Sequence, residues 1–313
     1  MNNIIIYSHQ ECLKKFNGSN HPENKERLQI ILDSIKDINR IDIELKDAPI
    51  ANINDIVLTH PKEFINEIFS KIPKKGIVSI EKEPFADTFL CPSSKNSILR
   101  SAGSGIAASD QMIENTKINK FFCAVRPPGH HAETIRANGF CFLNNIAITA
   151  NYLIKKYKFK KIAIIDFDVH HGNGTQEIFY NNPNIMYCSM HEFPLFPGTG
   201  SKNEIGVGNI VNIPIQAGTS STEYINLFKN DLLIKLKLFQ PEVLLISAGF
   251  DAHTRDPLAH INLESNDFYT ITKMLVNIAN LYSKGRIISF LEGGYDLLAL
   301  KEGFINHITA LGE

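Results

Sequence analysis

The chain has 313 residues, 43% of them hydrophobic and 21% charged, a makeup that excludes a disordered segment, a collagen-like repeat and a coiled coil. Thirty-two Lys and Arg face 33 Asp and Glu, for a formal charge of −1, so no overall field recruits nucleic acid or an anionic membrane directly. The N-terminal segment MNNIIIYSHQ lacks the basic and apolar regions of a secretory signal, and no window approaches a membrane span. A cytoplasmic protein is expected. Cys12, Cys91, Cys123, Cys141 and Cys188 form no C-x-x-C pair and read as buried, reduced thiols.

Short β-branched apolar runs alternate with helical patterns along the chain. A strand is predicted at 3–7 and a helix at 22–38, where Leu28, Ile31, Leu32, Ile35 and Ile38 recur at helical spacing. A strand candidate follows at 41–45, then a strand at 121–125 and a helix at 143–157. Strands at 162–167, 185–190 and 210–213 precede a helix at 222–239. A strand at 243–247, a helix at 267–282 and a strand at 287–291 complete the pattern. No linker or repeat divides it, and the expectation is one α/β domain over 1–313 with a parallel sheet and helices on both faces.

Polar, glycine-rich segments follow the strands directly: RPPGHH, DFDVHHGNG, MHEFPLFPGTG, AGFDAH and EGGYD. In a parallel sheet all these strand ends share one edge, where such folds bind ligands. Asp168 and His170, two residues apart after an apolar run, can point the same way. With Asp251 from another strand they make an Asp/His/Asp metal set with open positions, an arrangement of catalytic type that suits Zn²⁺ best, with Fe²⁺ and Mn²⁺ sharing the ligand types. His130 and His131 form a titratable pair in a Pro-Pro-Gly turn; adjacent charges repel, so one can serve as a general base. Asp166 and Asn173 are the candidate partners that orient them. Tyr295, aimed by Gly293 and Gly294, is placed to donate a hydrogen bond to an oxyanion. Phe140, after Gly139, and Phe196 either wall an apolar tunnel or fill the core.

The blocks HPENKERL, DTFLCPSS, RPPGHHA, GFCFLNN, IDFDVHHGNGTQ, MHEFPLFPGTG, SAGFDAHTRDPL and LEGGYD, in this order over nearly the whole chain, resemble the zinc-dependent histone deacetylase family. LEGGYD and Asn173, which stands where class I enzymes have Asp, resemble the class II and bacterial branch, related to acetylpolyamine amidohydrolases. The resemblance implies an arginase-like domain with an eight-stranded parallel sheet and zinc-dependent hydrolysis of an amide. It implies that Asp168, His170 and Asp251 bind one Zn²⁺ and that His131 is general base and acid with His130 as its electrostatic partner. Tyr295 would polarise the scissile carbonyl, Gly139, Phe140, Phe196 and Leu258 would line the substrate path, and Asp87 would grip the substrate backbone at the rim. A structural K⁺ is implied near Asp166, Asp168, His170, Ser189 and Met190. The expected substrate is an acetylated lysine in a peptide or protein, with an acetylpolyamine as the alternative; Leu258 stands where a polyamine-selective relative has Glu. A non-catalytic acyl-lysine binder and a binuclear manganese ureohydrolase are the other classes, but the first would have lost a ligand, His131 or Tyr295, and the second would need carboxylates where His171 and Asn173 stand.

Overall fold

A computed structural model describes residues 3–39, 41–81, 86–115 and 117–313. Its strands are β1 (Asn3–Ser8), β2 (Asp42–Asp47), β3 (Val78–Ser79), β4 (Phe89–Leu90), β5 (Lys120–Cys123), β6 (Ile162–Asp166), β7 (Ile185–Glu192), β8 (Ile210–Ile215), β9 (Val243–Ala248) and β10 (Ile287–Leu291). Eight of them form one sheet in the order β2-β1-β5-β10-β9-β6-β7-β8, and every neighbouring pair is parallel. β3 and β4 pair separately as a short antiparallel ribbon. The central strands are mostly apolar and buried along their whole length, as in β6 (IAIID) and β9 (VLLISA), which is the pattern that helices packed on both faces require. A smaller apolar cluster, including Ile56, Phe64, Ile65, Ile68, Leu90, Ile98 and Phe142, lies apart from the main core.

All eight expected strands are present, with shifted ends. β5 stops at Cys123, and Ala124 and Val125 lead into RPPGHH. β7 runs to Glu192, so His191 and Glu192 belong to the strand. The helix expected from 22 starts at Lys25, because Asn24 accepts the N–H of Arg27 as an N-cap. The helix expected over 222–239 is Ser221–Leu227 and Leu233–Phe239 joined by a π-helical turn, Phe228–Leu232.

The helix Ser94–Glu114 was not expected from the sequence: between Ile98, Leu99, Ile106 and Met112 its buried face is built of Ser, Ala and Gly. Its small residues serve close packing: a Cβ on Gly103 would collide with the Pro49 carbonyl, and one on Gly105 with Thr149 and Phe290. Strands β5, β10, β9, β6 and β7 are consecutive in the sheet. Their C-terminal ends therefore bring the five polar segments side by side.

Candidate active site

After Asp166 the chain bends; the extended run expected to carry Asp168 and His170 is replaced by a hydrogen-bonded turn. Asp168 N donates to Asp166 Oδ1 at 3.2 Å, Val169 N to Asp251 Oδ1 at 2.9 Å and His170 N to Asp168 Oδ1 at 2.9 Å. This turn swings Asp168 and His170 toward Asp251 until one donor atom from each lies within 4.8 Å of the others. His170 Nδ1 is 3.3 Å from Asp168 Oδ1 and 3.1 Å from Asp251 Oδ2. Glycine is required on both sides of the trio, since a Cβ on Gly249 would collide with Asp168 Oδ2 and one on Gly293 with Asp251 Oδ2.

The trio fits a divalent cation by its donors and by its charge. Two carboxylate oxygens and one imidazole nitrogen converge in a largely buried site, a donor set that suits Zn²⁺, with Fe²⁺ and Mn²⁺ sharing the ligand types. Burial opposes a proton on His170, yet its bonds to Asp168 and Asp251 raise its pKa to about 10, so positive charge is strongly favoured at that point. Burial lifts Asp251 to about 7, whereas at Asp168 burial is outweighed by His130 and His170, which hold the carboxyl far below its usual range. Asp166, Asp168, Asp251 and Glu292 are all buried here, and a cation among them would favour their ionised forms.

The rings of His130 and His131 lie with centroids 3.9 Å apart, tilted by 46° to one another. His130 Nδ1 is 3.0 Å from Asp166 Oδ2, which also accepts the Tyr187 hydroxyl at 2.9 Å. Burial would lower the pKa of His130, but Asp166, Asp168 and Glu292 carry it up to about 10. Burial and the charge of His130 together push His131 well below the usual imidazole value. The two rings are thus pushed in opposite directions, His130 toward its charged form and His131 toward its neutral form. Asn173 Nδ2 donates to Glu133 Oε1 at 2.7 Å, which aims Asn173 Oδ1 at His131 Nδ1, 2.9 Å away. His131 Nδ1 carries the proton, and Nε2 keeps the lone pair of a base.

Tyr295 is held by its backbone and its ring face. Its N–H donates to Asp256 Oδ2 at 2.7 Å, and the Arg27 guanidinium lies 4.9 Å from the ring centroid. Arg27 in turn donates through Nε to Gly294 O at 2.6 Å and through Nη2 to Glu292 O at 2.5 Å. Burial keeps the Tyr295 hydroxyl protonated, with a pKa well above the usual value. Phe140 stands 6.0 Å from the Tyr295 ring, and Phe196, half exposed, stands 5.0 Å from His131. Gly139 and Phe140 both have positive φ, a conformation that costs a phenylalanine roughly 1–2 kcal/mol. A Cβ on Gly139 would collide with the His131 ring at 2.5 Å, so that backbone closes on the base.

At the rim, Asp87 N donates to Glu81 Oε2 at 2.9 Å, and Asp87 O accepts from His21 Nε2 at 2.9 Å. The Thr88 hydroxyl donates to Asp87 Oδ1 at 2.7 Å and accepts from Phe140 N at 3.0 Å. Asp87 and Phe196 border a cavity of roughly 460 Å³ that also meets Phe64, Ile135 and Arg136. Leu258, half-buried, donates its N–H to the other oxygen of Asp256.

Ser189 is the register partner of Asp166, and Met190 follows it, fully buried; Ser189 Oγ lies 2.9 Å from His191 Nδ1. His171 turns away from the trio, toward Thr199 Oγ1 at 2.7 Å and Gln176 Oε1 at 3.0 Å.

Sequence reasoning missed Glu23, Arg27, Glu133, Asp256 and Glu292. Glu23 and Arg27 lie in HPENKERL and Glu292 in LEGGYD, charged residues inside otherwise buried segments, and that incongruity was the available signal.

A sequence profile described as "Histone deacetylase domain" matches residues 21–311. A "Probable deacetylase" of Archaeoglobus fulgidus is 34% identical over 299 residues, covering 93% of this chain and 81% of that protein. "Histone deacetylase 10, chloroplastic" of Oryza sativa subsp. japonica is 33% identical over 316 residues, covering 95% and 71%. The crystal structure of the HDA15 HD domain superposes with a TM-score of 0.89 at 29% identity, covering 98% of this chain and 90% of that one.

Proposed function

The chain belongs to the histone deacetylase domain family, hydrolases of acetyl amides, and from that premise we propose that it is a zinc-dependent deacetylase. Its substrate in this reading is an N-acetyl-lysine side chain in a peptide or protein, cleaved to acetate and the free amine. The observation that carries the reading is the convergence of Asp168, His170 and Asp251 beside the His131–Asn173 pair, with the His131 ring 6.2 Å from that of His170.

Asp168 Oδ, His170 Nδ1 and Asp251 Oδ would hold one Zn²⁺. Bound there, the ion supplies Lewis acidity toward the amide oxygen and makes water nucleophilic at neutral pH. His131 Nε2 takes the proton of the attacking water, with Asn173 holding the ring in the tautomer that leaves Nε2 free. His130 remains protonated against Asp166 and supplies fixed positive charge beside the reacting centre. The Tyr295 hydroxyl donates to the oxygen that becomes an oxyanion. His131 then returns its proton to the leaving amine. Asp166, Asp168, His170, Ser189 and Met190, with their backbone and carboxylate oxygens, are the proposed seat of a structural K⁺.

Phe140, Phe196 and Leu258, with Gly139 behind, suit the four-carbon stem of lysine, and Asp87 at the rim suits backbone amides that a polyamine does not offer. The test compares kcat/KM on an acetyl-lysine peptide and on acetylated putrescine and spermidine. The peptide should be turned over more efficiently; equal or better turnover of a polyamine would move the assignment to the acetylpolyamine reading. No helix among the described residues is long and apolar enough to cross a membrane.

A further inference from the structure

Glu292, directly after β10, is wholly buried and belongs neither to the metal trio nor to the His–Asn and His–Asp pairs. Its carboxylate is aimed at backbone. Oε2 accepts the N–H of Gly129 at 2.8 Å and that of His130 at 3.2 Å, and Oε1 lies 3.4 Å from the Ser247 hydroxyl. Its own backbone is fixed as well, with N–H to Ala248 O at 3.1 Å and C=O to Arg27 Nη2. Two and three residues on come Gly294, whose carbonyl Arg27 also holds, and Tyr295.

One side chain therefore bridges the turn that carries both histidines, after β5, and the loop that carries Tyr295, after β10. These strands are neighbours in the sheet, but a shared strand register does not fix the loops beyond it. Other bonds reach the turn through its carbonyls, from Asn145 Nδ2 to Pro127 O at 3.2 Å and from Thr175 N to His130 O at 3.1 Å; on the donor side Pro127 and Pro128 bring no N–H, and the N–H groups of Gly129 and His130 both go to Glu292. Two N–H groups thus converge on one buried carboxyl oxygen. Removing their acceptor would orphan two buried donors.

We propose that Glu292 is a positioning residue for proton transfer, the clamp that holds His131 Nε2 and the Tyr295 hydroxyl in a fixed relation to the same acyl carbon. The proposal rests on the deacetylase reading for its kinetic consequence, but the clamp itself has a readout independent of activity. Glu292→Gln keeps an oxygen that can accept both N–H groups and removes the charge; Glu292→Ala removes both.

The experiment measures kcat and KM on an acetyl-lysine peptide, metal content, and amide hydrogen exchange over residues 126–132 for wild type and both variants. Glu292→Ala should lower kcat by about 10- to 100-fold, the scale of a misplaced catalytic group, with KM and metal content little changed. Exchange at Gly129 and His130 should rise at least about tenfold as local opening becomes easier. Glu292→Gln should restore kcat to within about threefold and keep the slow exchange. Wild-type kcat or wild-type exchange in Glu292→Ala would overturn the clamp. So would a Glu292→Gln variant as impaired as Glu292→Ala, which would assign the effect to charge. Absence of deacetylation by the wild type would sink the functional reading alone, and the exchange comparison would still decide the clamp.

Discussion

Tyr295→Phe removes one oxygen and leaves the supports of the ring in place. The bond from Tyr295 N to Asp256 and the Arg27 guanidinium over the ring both survive the change. Stability should therefore hardly move. Catalysis should, because loss of one oxyanion donor costs about 2.7–4 kcal/mol, or about 100- to 1,000-fold in kcat. The pKa of Tyr295 is pushed well above its usual value by burial, so the donor is present at all working pH. The loss should be the same at every pH, and the pH–rate profile of the variant should run parallel to that of the wild type. Steady-state kinetics on an acetyl-lysine peptide from pH 6 to 9 (roughly the neutral range), with melting temperature and metal content as controls, make the assay. A kcat within about threefold of wild type, with metal bound, would refute the role given to this hydroxyl.

Other consequences concern stability. Glu23 is buried among Arg126, Arg27 and Lys15 and accepts from Arg126 Nε and Nη2, Arg27 Nη1 and Asn17 Nδ2; although burial opposes its charge, Arg126 holds its pKa down at about 2. Glu23→Gln leaves buried guanidinium charge uncompensated and should cost about 3–5 kcal/mol, lowering Tm by roughly 6–15 °C; calorimetry showing a shift under about 2 °C would contradict this. His307, wholly buried between Thr272 and Ser289, has its pKa lowered by burial to about 3. Its neutral form contributes stability above the unfolded value near 6.5, and that contribution is lost as pH falls from there toward 3. His307→Gln should flatten the pH dependence of unfolding free energy between about pH 6 and 4 by up to about 1.4 kcal/mol per unit; an unchanged slope in denaturant titrations would count against it.

The sheet was legible because its central strands are short, mostly apolar, β-branched runs such as IAIID and VLLISA, each followed by a polar, glycine-rich segment. The Ser94–Glu114 helix was not, since its small residues are explained only by the neighbours they admit, Pro49, Thr149 and Phe290. The candidate residues Asp168, His170, Asp251, His130, His131 and Tyr295 were named from strand-end motifs, whose strands the sheet places side by side. The bend that aims Asp168 and His170 was not legible, because it depends on hydrogen bonds to Asp251, 82 positions from Val169. Glu292, Arg27 and Asp256 act through backbone groups of distant loops, and residue type alone does not reveal such partners.

The central claim is that one divalent ion in the Asp168, His170 and Asp251 site supports hydrolysis of an acetyl amide. Its most direct test is acetate release from an acetyl-lysine peptide, followed by NMR, while metal-depleted protein is titrated with Zn²⁺ and bound metal is measured in parallel. Acetate production should rise from near zero and saturate at one zinc per chain, and Asp251→Ala should neither retain the metal nor release acetate. Acetate release indifferent to zinc, saturation at two ions per chain, or full zinc occupancy without acetate would contradict it.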